Sequence, residues 1–447
     1  MLNPYKFLIN KKICLLFFFA FFIKIILSQI IPVAGDETYY LLWGQNLRLS
    51  YFDHPPAVSW LTWISNQLIF FFGDFNKNLL LRLPFVFLSQ MTYLVWMRIL
   101  TIYIKNENEI FYFAVLYLLN PFLGFGGIFS TPDIPFLFFF SLSFYSVLKI
   151  LKYQTVFWYS FLGVALGLGF CSKYHIVLFP PALIIYLIFS KKINEINWLK
   201  TFSTLFFGFA CCLPVIIWNY QTNWSSFVFQ LNHGLSRPLY NLIWTVGYSL
   251  GQILLFSPLL FYNLMKQKIT AGKVFSLTQW CFFLLSSFKA LVEANWPIAA
   301  HFTGLLSLKL DKKIFRLTLK YWCLIWLCLF FFLFSNYGQK KMSSFPQSIA
   351  AQEIYEETKN FRPLWGPTYQ MSSLLSFVSN EKIFKLNGLS RLDFYDSLDE
   401  SKPIQKKYYV LKYKYSDWPE NIKNDQLTLI KNLKNDQLEL FQVNKNE

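Results

Sequence analysis

The chemistry this chain can do is concentrated in a few polar residues set among aromatic ones. The chain has 24 Asp and Glu against 41 Lys and Arg in 447 residues. Two acidic sites stand close together in the stretch GDETYYLLWGQNLRLSYFDHPPAVSW, residues 35–60: Asp36-Glu37, and Asp53 beside His54. Carboxylates that border a membrane are costly to keep and usually mark function. Asp36 and Glu37 have two readings. Acids at a helix N-terminus cap free N–H groups and complement the helix dipole. A carboxylate near apolar surface also gains proton affinity and can take a proton from a hydroxyl. Asp53-His54 reads as a polar turn before Pro55-Pro56, or as a metal ligand or phosphate contact, since carboxylate and imidazole both suit divalent cations.

Further along, Asp133 lies in Thr-Pro-Asp-Ile-Pro, where turn chemistry explains it nearly as well as function. Lys173 and His175 interrupt two apolar runs, and Lys173 suits a phosphate as a point charge or an interface anchor. His233 and Arg237 are four apart in QLNHGLSRP, either a metal ligand with a phosphate-binding Arg or a plain polar loop. Lys289 and Glu293, also four apart, fit a helical ion pair. None of these is specific alone. There is no Walker loop, no GxGxxG opening a soluble αβ unit and no HExxH, so nothing points to a nucleotide site or to zinc protease chemistry.

The elements that must position these residues are membrane spans. The chain is 55% hydrophobic, 21% aromatic and only 15% charged, where a soluble domain carries about 25% charged residues. Eleven apolar runs read as spans: 13–31, 79–100, 110–128, 135–151, 157–171, 175–190, 201–218, 241–263, 274–288, 297–308 and 317–335. The first is followed by more spans and reads as an uncleaved helix rather than a signal peptide. Alternate loops hold 18 Lys and Arg on one side and six on the other, which predicts a cytoplasmic N-terminus. The named polar residues then all fall on the outer face. The net charge of +17 sits mainly between spans and in the tail and does not indicate nucleic acid. Lys24, inside the first span, reads as snorkelling or facing another helix. Gly163, Gly167 and Gly169 have the small-residue spacing that lets membrane helices approach closely. The seven cysteines lie in or beside apolar runs, so no disulfide framework is expected.

The fold expected is an α-helical polytopic membrane domain over 1–337 plus a small soluble α+β domain over 338–447. The first outer loop, about 32–78, is predicted to hold two in-plane amphipathic helices, 36–49 and 56–72. The tail predicts helices at 347–359 and 369–379 and strands at 408–415 and 437–443. The near-duplicate Lys-Asn-Asp-Gln-Leu at 423–427 and 434–438 is too short to be a repeat.

Taken together and in order, GDETYYLLWGQNLRLSYFDHPPAVSWL, TPDIPFLFFFSL, GVALGLGFCSKYHIVLFPPALIIYL, PVIIWNYQTNWSSFVFQLNHG, GQILLFSPLL and KALVEANWP, within residues 35–297, resemble the membrane-embedded glycosyltransferases of the C class. The branch is that of bacterial enzymes related to dolichyl-phosphate-mannose-protein mannosyltransferases and of lipid A aminoarabinose transferases. The tail pieces YQMSSLLSF and SRLDFYD look like that family's tail. The resemblance implies a sugar donor on a polyprenyl phosphate such as undecaprenyl phosphate, and an acceptor on the outer face of a bacterial inner membrane. It implies Asp36 as base for the acceptor hydroxyl, with Glu37 beside it. Donor-phosphate contacts would come from His54, Lys173, Arg237 and Lys289, and Tyr40, Asp133 and Glu293 would support the site. Asp53 falls where the aminoarabinose enzymes carry a metal-binding acid, and His233 is the second ligand. A divalent metal is allowed rather than required, because fixed cations suffice for a phosphate leaving group. The chain departs from the aminoarabinose enzymes at Tyr39, where they carry Arg, and at Asp53-His54-Pro55, where they carry Glu-Lys-Pro. It looks closer to the Asp-Glu-x-Tyr-Tyr branch.

A transporter or lipid flippase is the competing class. Such proteins place coupling residues near the bilayer midplane and often repeat broken helices, whereas here the spans are nearly free of acids and no internal repeat is evident. A structural subunit is the third class, and it would tolerate loss of Asp36. Among acceptors, a glycolipid such as lipid A is favoured over protein by the resemblance alone.

Overall fold

A computed structural model describes residues 11–73, 75–235, 240–335, 347–398, 403–422, 425–433 and 437–445. In chain order its helices are α1 (Lys11–Ile30), α2 (Gly35–Gln45), α3 (Ala57–Phe72), α4 (Lys77–Tyr103), α5 (Glu107–Leu119), α6 (Asp133–Tyr153), α7 (Val156–Phe170), α8 (Phe179–Phe189), α9 (Trp198–Gln221), α10 (Ser225–Leu235), α11 (Leu242–Phe256), α12 (Pro258–Lys266), α13 (Ala271–Ser286), α14 (Ile298–Leu305) and α15 (Lys312–Phe334). Two more follow, α16 (Gln347–Thr358) and α17 (Tyr369–Ser379). The chain packs as two compact units. One holds residues 1–30 and 48–328, and the other holds 31–47 and 329–447. The sequence drew a single boundary near 337. By packing, the loop segment that carries α2 groups with the tail.

The first unit is a helical bundle. Its core is aromatic: Trp96, Phe113, Phe140, Phe275 and Phe302 are buried. Phe140 meets Phe179 and Phe275 edge-on, the geometry that ring quadrupoles favour. The buried Trp96 indole N–H donates to the Phe302 carbonyl at 3.0 Å, so the ring packs without an orphan donor. The outside is apolar too. Phe18, Phe19 and Phe22 on α1, and Leu199, Phe202, Leu205 and Phe206 on α9, are exposed. Apolar surface on this scale needs a lipid solvent. Five described helices are long and apolar enough to cross a membrane, or six if α11 and α12 form one bent span. The chain is therefore a multi-pass membrane protein, while the count of eleven crossings rests on the sequence alone.

Three of the eleven runs are interrupted. The run at 110–128 leaves the helix after Leu119, and the run at 175–190 enters α8 through a 3-10 turn at Tyr174–Leu178. The run at 241–263 bends by 89° between α11 and α12. The cause is local. Pro258 has no N–H to continue the ladder and disfavours helical backbone at the residue before it, and Ser257 sits at φ +80°. Of the three glycines, Gly163 and Gly167 behave as their spacing suggests, and Gly169 instead meets the side chains of Ile176 and Phe139. A Cβ on Gly167 would lie 2.6 Å from the Gly208 carbonyl oxygen, so α7 and α9 approach to backbone contact. Lys24 does face another helix. It is buried and donates to Ser89 Oγ at 3.0 Å and Gln90 Oε1 at 3.2 Å on α4.

The second unit is α+β. Strands β1 (Leu364–Gly366), β2 (Phe384–Lys385), β3 (Lys407–Tyr413), β4 (Gln426–Leu433) and β5 (Leu438–Asn444) form one sheet in the order β2-β1-β3-β5-β4. β1 is parallel to β2 and β3, and β5 is antiparallel to β3 and β4. β3 and β5 match the two strands read from alternation, and α16 and α17 match the two predicted tail helices. α17 starts at Thr368, whose hydroxyl accepts the Met371 N–H, an N-cap of the preferred type.

Candidate active site

Each unit carries its own cluster of the residues singled out by chemistry. In the sheet unit it is α2. The two acids of its first turn are not equivalent. Glu37 is buried, and its Oε1 accepts the Ala34 N–H at 2.9 Å, the carboxylate half of a capping box. Asp36 is exposed. Both acids sit where the helix dipole favours negative charge. The capping reading therefore describes Glu37, and the carboxylate presented to solvent is Asp36. Tyr40 is buried and meets Trp43 edge-on at 5.0 Å, so it stiffens the same turn from behind.

α2 is held closely by the tail. A Cβ on Gly35 would fall 2.5 Å from Gln370 Cβ on α17. That close approach of Gln370 is why a glycine precedes Asp36. The Thr38 and Ser373 hydroxyls are 2.9 Å apart and share a hydrogen bond. Ser373 also donates to the Gly35 carbonyl at 3.2 Å. Tyr39 Oη accepts the Phe394 N–H at 2.8 Å, and its ring lies 4.3 Å from that of Tyr369. Behind Phe394 lies a buried ion cluster. Lys385 Nζ donates to Asp393 Oδ2 at 2.7 Å, to Asp396 Oδ2 at 2.5 Å and to the Arg391 carbonyl at 2.9 Å. Burial raises the Asp393 carboxyl to about 6; neighbouring Asp396 adds to the rise and Lys385 opposes it.

In the bundle unit the site residues gather around the turn after α7 and the start of α6. Asp133 is the first residue of α6 and is buried. Its Oδ1 accepts from Lys173 Nζ at 2.6 Å, and its Oδ2 accepts from Asn295 Nδ2 at 2.6 Å. The Asn295 segment is pinned from within the bundle. Gln252 Nε2 donates to the Ala294 carbonyl at 2.9 Å, and Gln252 Oε1 lies 2.9 Å from His301 Nε2. Since the Gln252 carbonyl must accept, His301 carries its proton on Nε2, and Nδ1 accepts from Asn120 Nδ2 at 3.2 Å. Asn295, Gln252, His301 and Asn120 were all passed over in the sequence. Each is an ordinary core polar residue until its partner is known.

Asp53 is buried and His54 half-buried, in the bend between α2 and α3. The Asp53 carbonyl accepts from Gln230 Nε2 on α10 at 2.5 Å, and Phe52 packs on Phe229 at 4.6 Å. α10, the helix that carries His233, therefore lies against Asp53. The side chain of His233 and the whole of Arg237 lie outside the described residues. Among the described residues no three His, Cys, Asp or Glu side chains converge as metal ligands. Lys289 and Glu293 differ from expectation. The helix ends at Ser286, both residues are exposed in non-helical backbone, and they form no ion pair with each other. Asn295 supplies the polar contact sought from Glu293.

The comparisons agree with this architecture. The dolichyl-phosphate-mannose-protein mannosyltransferase family model matches residues 53–218. Lipid A galacturonosyltransferase RgtD of Rhizobium johnstonii is 23% identical over 214 residues. That match covers 45% of this chain and 44% of RgtD, so it spans under half of the relative's length. Among solved structures, ArnT from Cupriavidus metallidurans bound to undecaprenyl phosphate superposes with a TM-score of 0.67 at 12% identity, over 96% of this chain and 97% of that one. The apo state of ArnT gives 0.65 with the same identity and coverage. At that identity the likeness speaks to fold, and it includes the tail as well as the bundle.

Proposed function

We propose that this chain, a membrane glycosyltransferase of the C class by family model and fold, moves a sugar from a polyprenyl-phosphate carrier to a glycolipid acceptor of the lipid A type. The reaction runs at the extracytoplasmic face of a bacterial inner membrane. The acceptor hydroxyl attacks the anomeric carbon, the bond from that carbon to the phosphate oxygen breaks, and the configuration inverts. The hydroxyl proton passes to Asp36 as the new bond forms. The polyprenyl phosphate leaves with an added negative charge, which fixed cations stabilise. Lys173 is the described cation assigned to that charge, and His54, Lys289 and Arg237 are further contacts. Glu37 fixes the start of α2, Tyr40 stiffens it, and Asp133 orients Lys173. Asp53 and His233 remain the pair assigned to a divalent cation, but two donors do not make a site and no step is drawn through one.

The observation that carries this reading is the division within the acidic pair. Glu37 is buried and caps the helix, and Asp36 lies exposed to solvent at its positive end. The carrier is supported by the fold shared with ArnT, whose structure holds undecaprenyl phosphate. The acceptor is supported by RgtD, a lipid A galacturonosyltransferase. The face is supported by the excess of Lys and Arg in alternate loops.

The test is mass spectrometry of lipid A from cells that contain or lack this protein, with Asp36→Asn alongside at equal membrane abundance. A sugar-sized mass present only with the wild type identifies both activity and sugar class. Wild-type modification by Asp36→Asn removes the base. An unchanged lipid A in all three strains removes that acceptor.

A further inference from the structure

We propose that the tail sheet domain is a positioning device for the catalytic helix, and that Tyr39, Ser373 and Lys385 are its working parts. This rests on the reading of Asp36 as base. The argument is an accounting of buried backbone groups. Phe394 opens a 3-10 turn, Phe394–Ser397, and the first N–H groups of any such turn lack partners within it. Asp393 Oδ1 takes the Tyr395 N–H at 2.9 Å, and Asp396 Oδ2 takes the Asp393 N–H at 2.8 Å. The Phe394 N–H between them is taken by neither acid. It points to Tyr39 Oη, 355 residues away in the chain.

That donor cannot drift, because the turn is wrapped around a buried ammonium. Lys385 on β2 directs its protons to Arg391, Asp393 and Asp396, and its side chain is fully shielded from solvent. The sheet thus fixes Lys385, Lys385 fixes the turn, and the turn fixes Tyr39. Tyr39 stands three residues after Asp36 on the same helix, so one turn of α2 separates the latch from the carboxylate. A second contact acts at the other end of that turn. Ser373 holds the Gly35 carbonyl, and Gln370 of α17, chiefly through its Cβ and Cγ, fills the space where a side chain on residue 35 would go. Held at Gly35 and at Tyr39, the first turn of α2 has no freedom to rotate Asp36 away. A general base misplaced by about 1 Å loses rate on the order of 10²-fold, which is what such a clamp prevents.

The experiment uses the full chain in lipid nanodiscs and in cells. Tyr39→Phe keeps the ring and removes the acceptor. Hydrogen–deuterium exchange of amides 36–45 rises by about ten-fold, amides of strand 407–413 keep wild-type exchange, and lipid A modification falls by about ten-fold at equal abundance. Ser373→Ala acts in the same direction, and Ser373→Thr, which keeps a hydroxyl, restores transfer. Lys385→Met also raises exchange in 36–45, together with exchange in the tail strands it destabilises, and the Tyr39→Phe/Lys385→Met double variant transfers no more slowly at equal abundance than the slower single one. Wild-type exchange in 36–45 for Tyr39→Phe overturns the latch. Raised exchange with wild-type transfer overturns its role in catalysis. If Asp36→Asn is inactive while Tyr39→Phe is fully active, only the positioning inference falls. If Asp36→Asn is active, the base assignment falls and this inference falls with it.

Discussion

The two units each bury a lysine against aspartate, and the lysines are used differently. In the sheet unit Lys385 meets two carboxylates and a carbonyl, so each ammonium proton has an acceptor. In the bundle unit Lys173 meets one carboxylate oxygen, and Asn295 occupies the other oxygen of Asp133. Among the described residues the remaining Lys173 protons have no acceptor. Both side chains are largely shielded, with 0% and 7% exposure. A buried cation with its donors fully used is a structural knot. A buried cation with donors to spare has capacity to meet an anion. The contrast is between a lysine whose donors are all used and the one proposed to meet the donor phosphate.

The largest test of that distinction is removal of each charge in turn. Lys385→Met leaves the buried Asp393 and the half-buried Asp396 without a cation. Breaking a buried pair on one side costs about 3–5 kcal/mol, so the sheet unit should melt at lower temperature and membrane abundance should fall. The measurement is thermal unfolding of purified protein followed by tail-domain fluorescence. Lys173→Met should show the opposite balance. Lys173→Met also strands a buried carboxylate, and Asn295 offsets only part of that cost, so abundance falls less than for Lys385→Met, while transfer at equal abundance falls about 10–100-fold, mainly through weaker use of the donor. Initial rates over a range of polyprenyl-phosphate-sugar concentrations check it. Equal loss of stability in both variants, with no donor effect for Lys173→Met, would erase the difference between the clusters.

A smaller effect probes the scaffold behind Lys173, which follows the C-terminal end of α7. Gly167→Leu drives a side chain into the Gly208 backbone on α9. Overpacking of this kind costs about 1–3 kcal/mol. It should lower the melting temperature of the bundle and leave exchange in the tail strands unchanged.

Much of this was legible in the sequence for identifiable reasons. Long apolar runs, the first-loop acids and the alternation in Tyr408–Tyr415 are local signals, and each found its element. What was not legible is non-local. No pattern at residue 39 says that its hydroxyl meets residue 394, so the loop segment 31–47 was assigned with the spans rather than with the tail. β1 and β2 have three and two residues, too short for a period of two to register. Asn295 gained meaning only from Asp133, 162 residues earlier. Glu293 drew attention because its charge is conspicuous, but it is exposed outside any helix. The bend at Pro258 was readable. A proline inside an apolar run is a stop signal, and the length of the run hid it.

The smallest effect follows from the second carboxylate, which gives the sheet-unit cluster a titration. Burial and the nearness of Asp396 lift Asp393 to about 6 from an ordinary 3.8, against the pull of Lys385. The folded chain therefore holds a proton on Asp393 between about pH 4 and pH 6 that the unfolded chain has released. More protons on the folded state mean that stability falls as pH rises. The contribution is complete below about pH 4 and gone above about pH 6. At 1.36 kcal/mol per pKa unit its ceiling is about 3 kcal/mol. Asp393→Asn keeps one oxygen, enough for the Tyr395 N–H but not also for Lys385, and removes the titration. Thermal unfolding at pH 4, 5, 6 and 7 should show the wild-type tail losing stability across the first three points and the variant changing less. A wild-type curve that rises between pH 4 and pH 6 would mean that Lys385 outweighs burial, and that the cluster is held by attraction rather than merely neutralised by it.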